Sequence, residues 1–381
     1  MESYIYKPYV YLASCFFVVA NILDNKGIIG FKYISIFTLV LALFQVKHSI
    51  NKRKLSFFVA IVFFFILSII MTIINNGDLS KAMSYNNFFL ITILFVFLIR
   101  HVDRIKLLHF VMNTFFYSSL MIILGNVFSN LFPYDPIIDF LRYFAMNYDE
   151  YEGIRHATVS GNLFPKIYFH FTLYLPSALV YFLFNKKYIK SLLLLIAIIL
   201  SLSRGAIIVS FLVLLVYFFK SQSLKNILGR LILFFISSLI LVQVIDFFVV
   251  NISTHIFSLT SASNYTVSSR INQTLLVYEL LSNNLLYFFF GMGSGTPFYS
   301  TFLQEFIYHI EISPLELVRK YGFLFTLGFM TLFFRAVANS TFINSIILLS
   351  LLLATLTNPI LTSPIFILIC FLCYDFEIKK T

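Results

Sequence analysis

The chain has 381 residues, of which 60% are hydrophobic and 11% charged, and its formal charge is +11. A soluble domain carries about 25% charged residues, so this composition excludes an ordinary soluble globular protein. The basic residues are scattered between apolar blocks, which excludes a nucleic-acid-binding patch and reads as a set of topology signals.

The apolar blocks recur along the whole length, each near the size needed to cross a hydrocarbon layer of roughly 30 Å as a helix. In chain order the predicted spans are 9–23, 28–46, 56–74, 88–99, 107–131, 166–184, 191–202, 206–219, 231–250, 315–335, 342–356 and 361–374. The expected architecture is a single all-α membrane domain over 1–381, a polytopic helical bundle of about twelve spans. The first block starts near Tyr9 and reads as a span, not as a removable signal segment. With both ends inside, seventeen of the 27 lysines and arginines fall in inner segments, most densely in "KHSINKRK" and "NKKYIK". That bias is the one positive-inside topology produces. Two long outer loops result, 132–165 and 251–313, and long connections in compact proteins are usually functional.

The first outer loop contains "DEYE" at Asp149 to Glu152, which reads as a solvated acidic cluster, and then Arg155. Lys166 follows in "FPKIYFHFTLYLPSALVYFLF". Further on, the apolar run from Ser191 to Phe219 has Arg204 as its one charge, inside "SLSRGA". A charge at bilayer depth costs several kcal/mol unless paired or wet, so it is a functional candidate by default. Two short helices are expected to meet there in a tight turn eased by Gly205, presenting Arg204 at the outer end.

In the second outer loop, Arg270 opens an amphipathic segment with Ile271, Leu275, Tyr278 and Leu281 on one face. That face is expected against the membrane or the bundle. "GMGSGTP" follows, with Gly291, Gly293 and Gly295; it reads equally as a site of close backbone approach to a ligand or as a tight turn. Ser313, Pro314 and Glu316 read as a helix start with a capping box, and Glu316 and Lys320 are one turn apart and able to pair. His309 has no such structural duty and is placed to take a proton. The histidines are dispersed, which gives no metal-ligating pattern, and Cys370 and Cys373 sit within an apolar run that reads as helix core.

Taken together, "SLSRGA", "SSR" followed by "FFFGMGSG", a histidine before "LELVRKYG", and "TNPILTSP" at 357–364 resemble the O-antigen polymerase and ligase superfamily of bacterial envelope enzymes. The resemblance covers roughly the whole chain and rests on the order of loose motifs. It implies a GT-C-like membrane glycosyltransferase of the bacterial inner membrane with its active site on the periplasmic side. It also implies metal-independent, inverting transfer from an undecaprenyl-diphosphate-linked oligosaccharide, with no cofactor and with a chain-length regulator as a possible partner beside membrane lipid. Arg204 and Arg270 would hold the diphosphate and His309 would act as base. Ser203, Gly291, Gly293, Arg155 and Lys166 complete the candidate substrate-binding set. Ligases carry an asparagine after the histidine, where this chain has Ile310, so a repeat-unit polymerase is the first reading, a ligase the second and a lipid-linked oligosaccharide flippase the third.

The chemistry suits those residue types. A lipid diphosphate gains negative charge as the glycosidic bond breaks, and guanidinium forks can meet that charge through paired, charge-assisted hydrogen bonds. A sugar hydroxyl is a poor nucleophile, and a histidine can remove its proton near neutral pH.

Overall fold

The computed structural model of the chain describes residues 7–24, 30–46, 52–131, 153–159, 162–219, 265–300, 304–310, 312–356, 358 and 360–374. It is mostly helical. In chain order the helices are α1 (Pro8–Leu23), α2 (Phe31–Phe44), α3 (Lys52–Ile74), α4 (Leu79–Tyr85), α5 (Asn87–Leu98) and α6 (Arg104–Leu131). After the hairpin β1 (Gly153–Val159) and β2 (Asn162–Tyr168) come α7 (Leu175–Phe184), α8 (Tyr188–Leu200), α9 (Arg204–Phe219), α10 (Tyr265–Ser282) and α11 (Leu285–Phe290). A second hairpin, β3 (Phe298–Ser300) and β4 (Glu305–Ile307), precedes α12 (Ser313–Ala338), α13 (Phe342–Thr355) and α14 (Pro364–Cys373).

Among the described residues, four helices are long and apolar enough to cross a membrane: Lys54–Ile74, Leu79–His101, Arg104–Phe128 and Ser313–Ala338. The second joins α4, α5 and a short 3-10 turn, and so extends the expected span 88–99 backwards by about two turns. Seven further expected spans are shorter apolar helices, and the expected span 231–250 lies outside the described residues. The surface of α3 shows what surrounds it. Val59, Phe63, Ile66, Ile70 and Ile73 recur at helical spacing and are each about half exposed, a stripe that water would penalise and a lipid phase would not.

Two features depart from the all-α expectation. The expected span 166–184 is helical only from Leu175, after a 3-10 turn at His170–Tyr174; its start belongs to the antiparallel pair β1–β2. Ser160 and Gly161 alone separate those strands in sequence, a two-residue hairpin signal that apolar composition had masked. The second departure is β3–β4, whose register sets Tyr299 opposite Phe306.

The described chain divides into two compact units, 1–111 with 265–381, and 112–264. In the first, hydrogen bonds between loops sort the helix ends into two sets. At one end the Lys7 amide donates to the His101 carbonyl, Tyr9 to Gln45, Arg104 to Tyr374, and the Ser340 hydroxyl to Cys373. At the other, the Asp78 amide donates to Gly295, Asn75 to Met292, and the Ser313 hydroxyl to Asn358. The α4–α5 segment, α12, α13 and α14 therefore each run from one end to the other, in the alternation that a membrane topology requires. Lys52, Lys54, Arg100, Arg104, Lys106 and Arg335 all belong to the first end. Between the ends, Phe64, Phe88, Phe89, Tyr321 and Phe325 form an aromatic cluster with ring centroids 4.1–6.1 Å apart, tying α3, α5 and α12 together.

In the second unit, Phe115 of α6 stacks on Tyr174 at 5.3 Å and Phe116 meets Phe182 of α7. The Lys190 ammonium donates to Asn113 Oδ1 at 2.6 Å and lies 4.9 Å from the ring centres of both Phe116 and Phe182. A cation in an apolar helix junction is thus paired and covered by ring faces.

Candidate functional site

In the second unit, α8 ends at Leu200 and α9 begins at Arg204, as the two-helix reading of "SLSRGA" expects. The turn itself differs. Gly205 is the second residue of α9, and the left-handed backbone falls on Leu202 (φ 52°), a residue that is 3% exposed. The Ser201 amide closes α8 on the Ala197 carbonyl, the Ser203 amide donates to Ser201 Oγ at 3.3 Å, and the Ile207 amide reaches back to the Ser203 carbonyl. Both serines are buried. Apolar burial of Leu202 and the Ser201 hydroxyl hold the corner, so the left-handed position does not fall on the glycine. Arg204 is half-buried in the first turn of a 16-residue helix. That is where the helix dipole favours an anion over a cation, so the arginine goes against the local electrostatic preference. In the same unit Arg155 and Lys166 are direct cross-strand partners in the β1–β2 register.

In the first unit, "GMGSGTP" is a tightly packed turn. Its Gly291 amide caps α11 on Tyr287, and the Met292 and Gly293 amides donate to the carbonyls of Arg319 and Lys320 at 2.7 and 3.2 Å. The Ser294 and Gly295 amides go to the hydroxyls of Ser68 and Thr72 on α3. Gly322 explains why those two carbonyls of α12 accept from a loop: it kinks the helix with φ 84° and ψ 165°. A Cβ on Gly322 would collide with the Phe289 carbonyl, and one on Gly293 with the Thr72 backbone. Of the two sequence readings, this is the turn. The amides of Gly291 and Gly293 are donated to the carbonyls of Tyr287 and Lys320, so neither amide is offered to a substrate.

Beneath this turn lies a buried charged cluster. Glu316 Oε2 accepts from Arg319 Nε at 2.8 Å and from the Ile310 amide at 3.3 Å; Oε1 accepts from Arg319 Nη2 and Lys320 Nζ, both at 2.9 Å. Arg319 is 0% exposed and also donates to the carbonyls of Thr296 (3.1 Å) and Tyr308 (2.6 Å). One guanidinium thereby fastens the glycine turn, the segment before His309 and the first turns of α12. The expected Glu316–Lys320 pair is present. The expected capping box is not: Ile312 occupies the N-cap position, Ser313 is the first helical residue, and its hydroxyl donates to Asn358. The two neighbouring cations draw the carboxylate inward, and it reaches the Ile310 amide instead of the cap.

His309 is exposed and meets α4. Its Nδ1 is 3.3 Å from the Tyr85 hydroxyl, with the rings edge to face at 6.0 Å. The Lys320 ammonium lies 3.7 Å from the centre of the Tyr85 ring, and that of Lys81 3.3 Å from the centre of Tyr308. Arg270 is half-buried on α10. Of the expected apolar face of α10, Ile271, Leu275 and Tyr278 are 54%, 59% and 69% exposed and Leu281 is buried, packing beside Val277 with Phe298 and Ile310. Spacing of four places Gln273, Val277 and Leu281 in one row, and that row faces the core. Arg270 is thus seven residues, about 10 Å along the axis, from the residue that packs beside His309's neighbour.

His309, Arg270, Gly291 and Gly293 belong to the first unit, and Ser203, Arg204, Arg155 and Lys166 to the second. Sequence reasoning missed Tyr85, Lys81 and Arg319. Arg319 carried a readable signal, a cation three residues after Glu316; Tyr85 is far away in sequence and carried none. Among the described residues no three His, Cys, Asp or Glu side chains group as a metal site, and Asp149 to Glu152 lie outside them. Compared with known proteins, the chain matches no family model, no curated protein and no solved structure.

Proposed function

We propose that this protein is a polysaccharide repeat-unit polymerase of a bacterial inner membrane. It transfers a growing glycan from undecaprenyl diphosphate to a sugar hydroxyl of the next lipid-linked unit, with inversion and without a metal, through a bundle of about twelve spans. The observation that carries the reading is the separation of the two ends of the first unit. The basic helix ends lie together, and exposed His309 lies at the opposite end with the glycine turn and the start of α12. Under the positive-inside rule the basic end is cytoplasmic, and His309 then faces the periplasm, where polymers are assembled. Arg204 supports the same reading. A helix start offers amides without intrahelical acceptors, and an arginine held there joins two kinds of donor that phosphate oxygens take.

In this mechanism His309 removes the acceptor hydroxyl proton as its oxygen attacks the anomeric carbon of the donor. The bond to the diphosphate oxygen breaks, and its electron pair and negative charge go to the lipid diphosphate, for which Arg204 of the second unit and Arg270 of the first are the candidate partners. Purified protein given a polyprenyl-diphosphate-linked repeat unit should make a ladder of longer glycans and release free polyprenyl diphosphate, in excess EDTA as well as without it. Transfer only onto lipid A–core would establish the ligase instead. Movement of intact substrate between leaflets with no new glycosidic bond would establish the flippase.

A further inference from the structure

We propose that Tyr85 is a positioning residue that holds His309 in the tautomer a base requires, and that the buried Glu316–Lys320 pair holds Tyr85. The inference rests on the polymerase reading for its consequence and on geometry for its substance. A neutral imidazole carries one proton. When that proton is on Nδ1, Nε2 has the lone pair and can act as base; when it is on Nε2, that nitrogen can only donate. The partner of the other ring nitrogen decides between them. Here Nδ1 is 3.3 Å from the Tyr85 hydroxyl oxygen. That hydroxyl can donate to a bare Nδ1 or accept from an Nδ1–H; in the second arrangement, the one proposed, the hydroxyl proton is turned to solvent.

An exposed histidine gains from such a partner only if the partner is itself fixed, and Tyr85 is fixed from three directions. Its backbone carbonyl accepts from the Tyr321 hydroxyl at 3.4 Å. Asn86, the next residue, is 1% exposed and closes α4 on the Ala82 carbonyl. The face of the ring meets the Lys320 ammonium at 3.7 Å, and that ammonium is pinned by Glu316 at 2.9 Å. A buried, paired cation on a ring face is a strong and directional contact. The sequence Glu316, Lys320, Tyr85, His309 thus runs from the buried start of α12 to the exposed base through three consecutive contacts. It also gives the buried lysine a purpose that pairing with Glu316 alone does not, since Arg319 already satisfies both oxygens of that carboxylate.

The test uses Tyr85→Phe, which keeps the ring, its contact with Lys320 and the backbone carbonyl, and removes only the hydroxyl. In full-length protein labelled with 15N-histidine, the His309 signals are assigned by their loss in His309→Gln. Wild type should show neutral His309 protonated on Nδ1. In Tyr85→Phe the population should shift toward the Nε2–H form that unconstrained imidazole prefers. Turnover should fall by about 10–100-fold, the size of effect seen when metal-ligating histidines lose the partner that orients them, with the donor KM little changed. Wild-type His309 protonated on Nε2 would overturn the inference, as would a variant with unchanged tautomer or unchanged turnover. The polymerase reading fails separately. If His309→Ala retains full turnover while Tyr85→Phe still shifts the tautomer, the base assignment falls and the Tyr85–His309 pairing stands.

Discussion

Arg204→Lys is expected to lose most polymerising activity while the protein still inserts and accumulates, and Arg204→Ala is expected to lose about 10²–10³-fold, the cost of removing one donor from a developing oxyanion. The lysine variant is the informative one. A guanidinium places two parallel hydrogen bonds on phosphate oxygens where an ammonium places a single point charge. Arg204 sits in the first turn of α9, so a simple demand for positive charge is not what the helix dipole would select. Arg270→Lys should behave alike, and the double variant should be little worse than either single one if both act on one group in one step. A snorkelling role for Arg204 leads elsewhere, because lysine lifts a charge to the interface as well as arginine does. Glycan length measured at equal protein level separates the two, and a fully active Arg204→Lys would end the diphosphate clamp.

Arg319→Met should destabilise the protein by about 3–5 kcal/mol, the cost of removing one partner from a buried ion pair. Arg319 is fully buried and bonds both Glu316 oxygens and the carbonyls of Thr296 and Tyr308. Its loss leaves the carboxylate with Lys320 and the Ile310 amide, and takes a donor from two loop carbonyls. Arg319→Lys should rescue little, because one ammonium cannot span acceptors placed around a planar fork. Thermal unfolding in detergent checks this, and a wild-type midpoint for Arg319→Met would mean the cluster is not what holds the glycine turn against α12.

Most of the helical skeleton could be read from the chain, because apolar blocks bounded by basic residues report a lipid solvent directly. The expected span starts at 9, 28, 107 and 342 fall within about three residues of the observed helix starts Pro8, Phe31, Arg104 and Phe342. What could not be read depended on partners distant in sequence. Glu316 looked like a capping residue since its local context supplied that explanation, whereas its actual donors include the Ile310 amide and Arg319. On α10 the apolar residues Ile271, Leu275 and Tyr278 could be read, but the row that packs, Gln273, Val277 and Leu281, could not, because its partners Phe298 and Ile310 lie further along the chain. The hairpin at 153–168 was hidden because Phe, Ile and Tyr serve a strand as well as a span. His309 was expected just before α12, where it lies, but its contact with Tyr85 crosses 224 positions and leaves no local pattern.

The central claim is that the base and the basic helix ends lie on opposite sides of a membrane, and topology reporters fused in the full chain test it most directly. Fusions at Lys52, Lys187 and Lys225 should report the cytoplasm, and fusions at Tyr151 and Ser261 the periplasm. A cytoplasmic signal at Ser261, on the segment that leads to α10 and His309, would put the site on the wrong face for lipid-linked glycan assembly and would contradict the account.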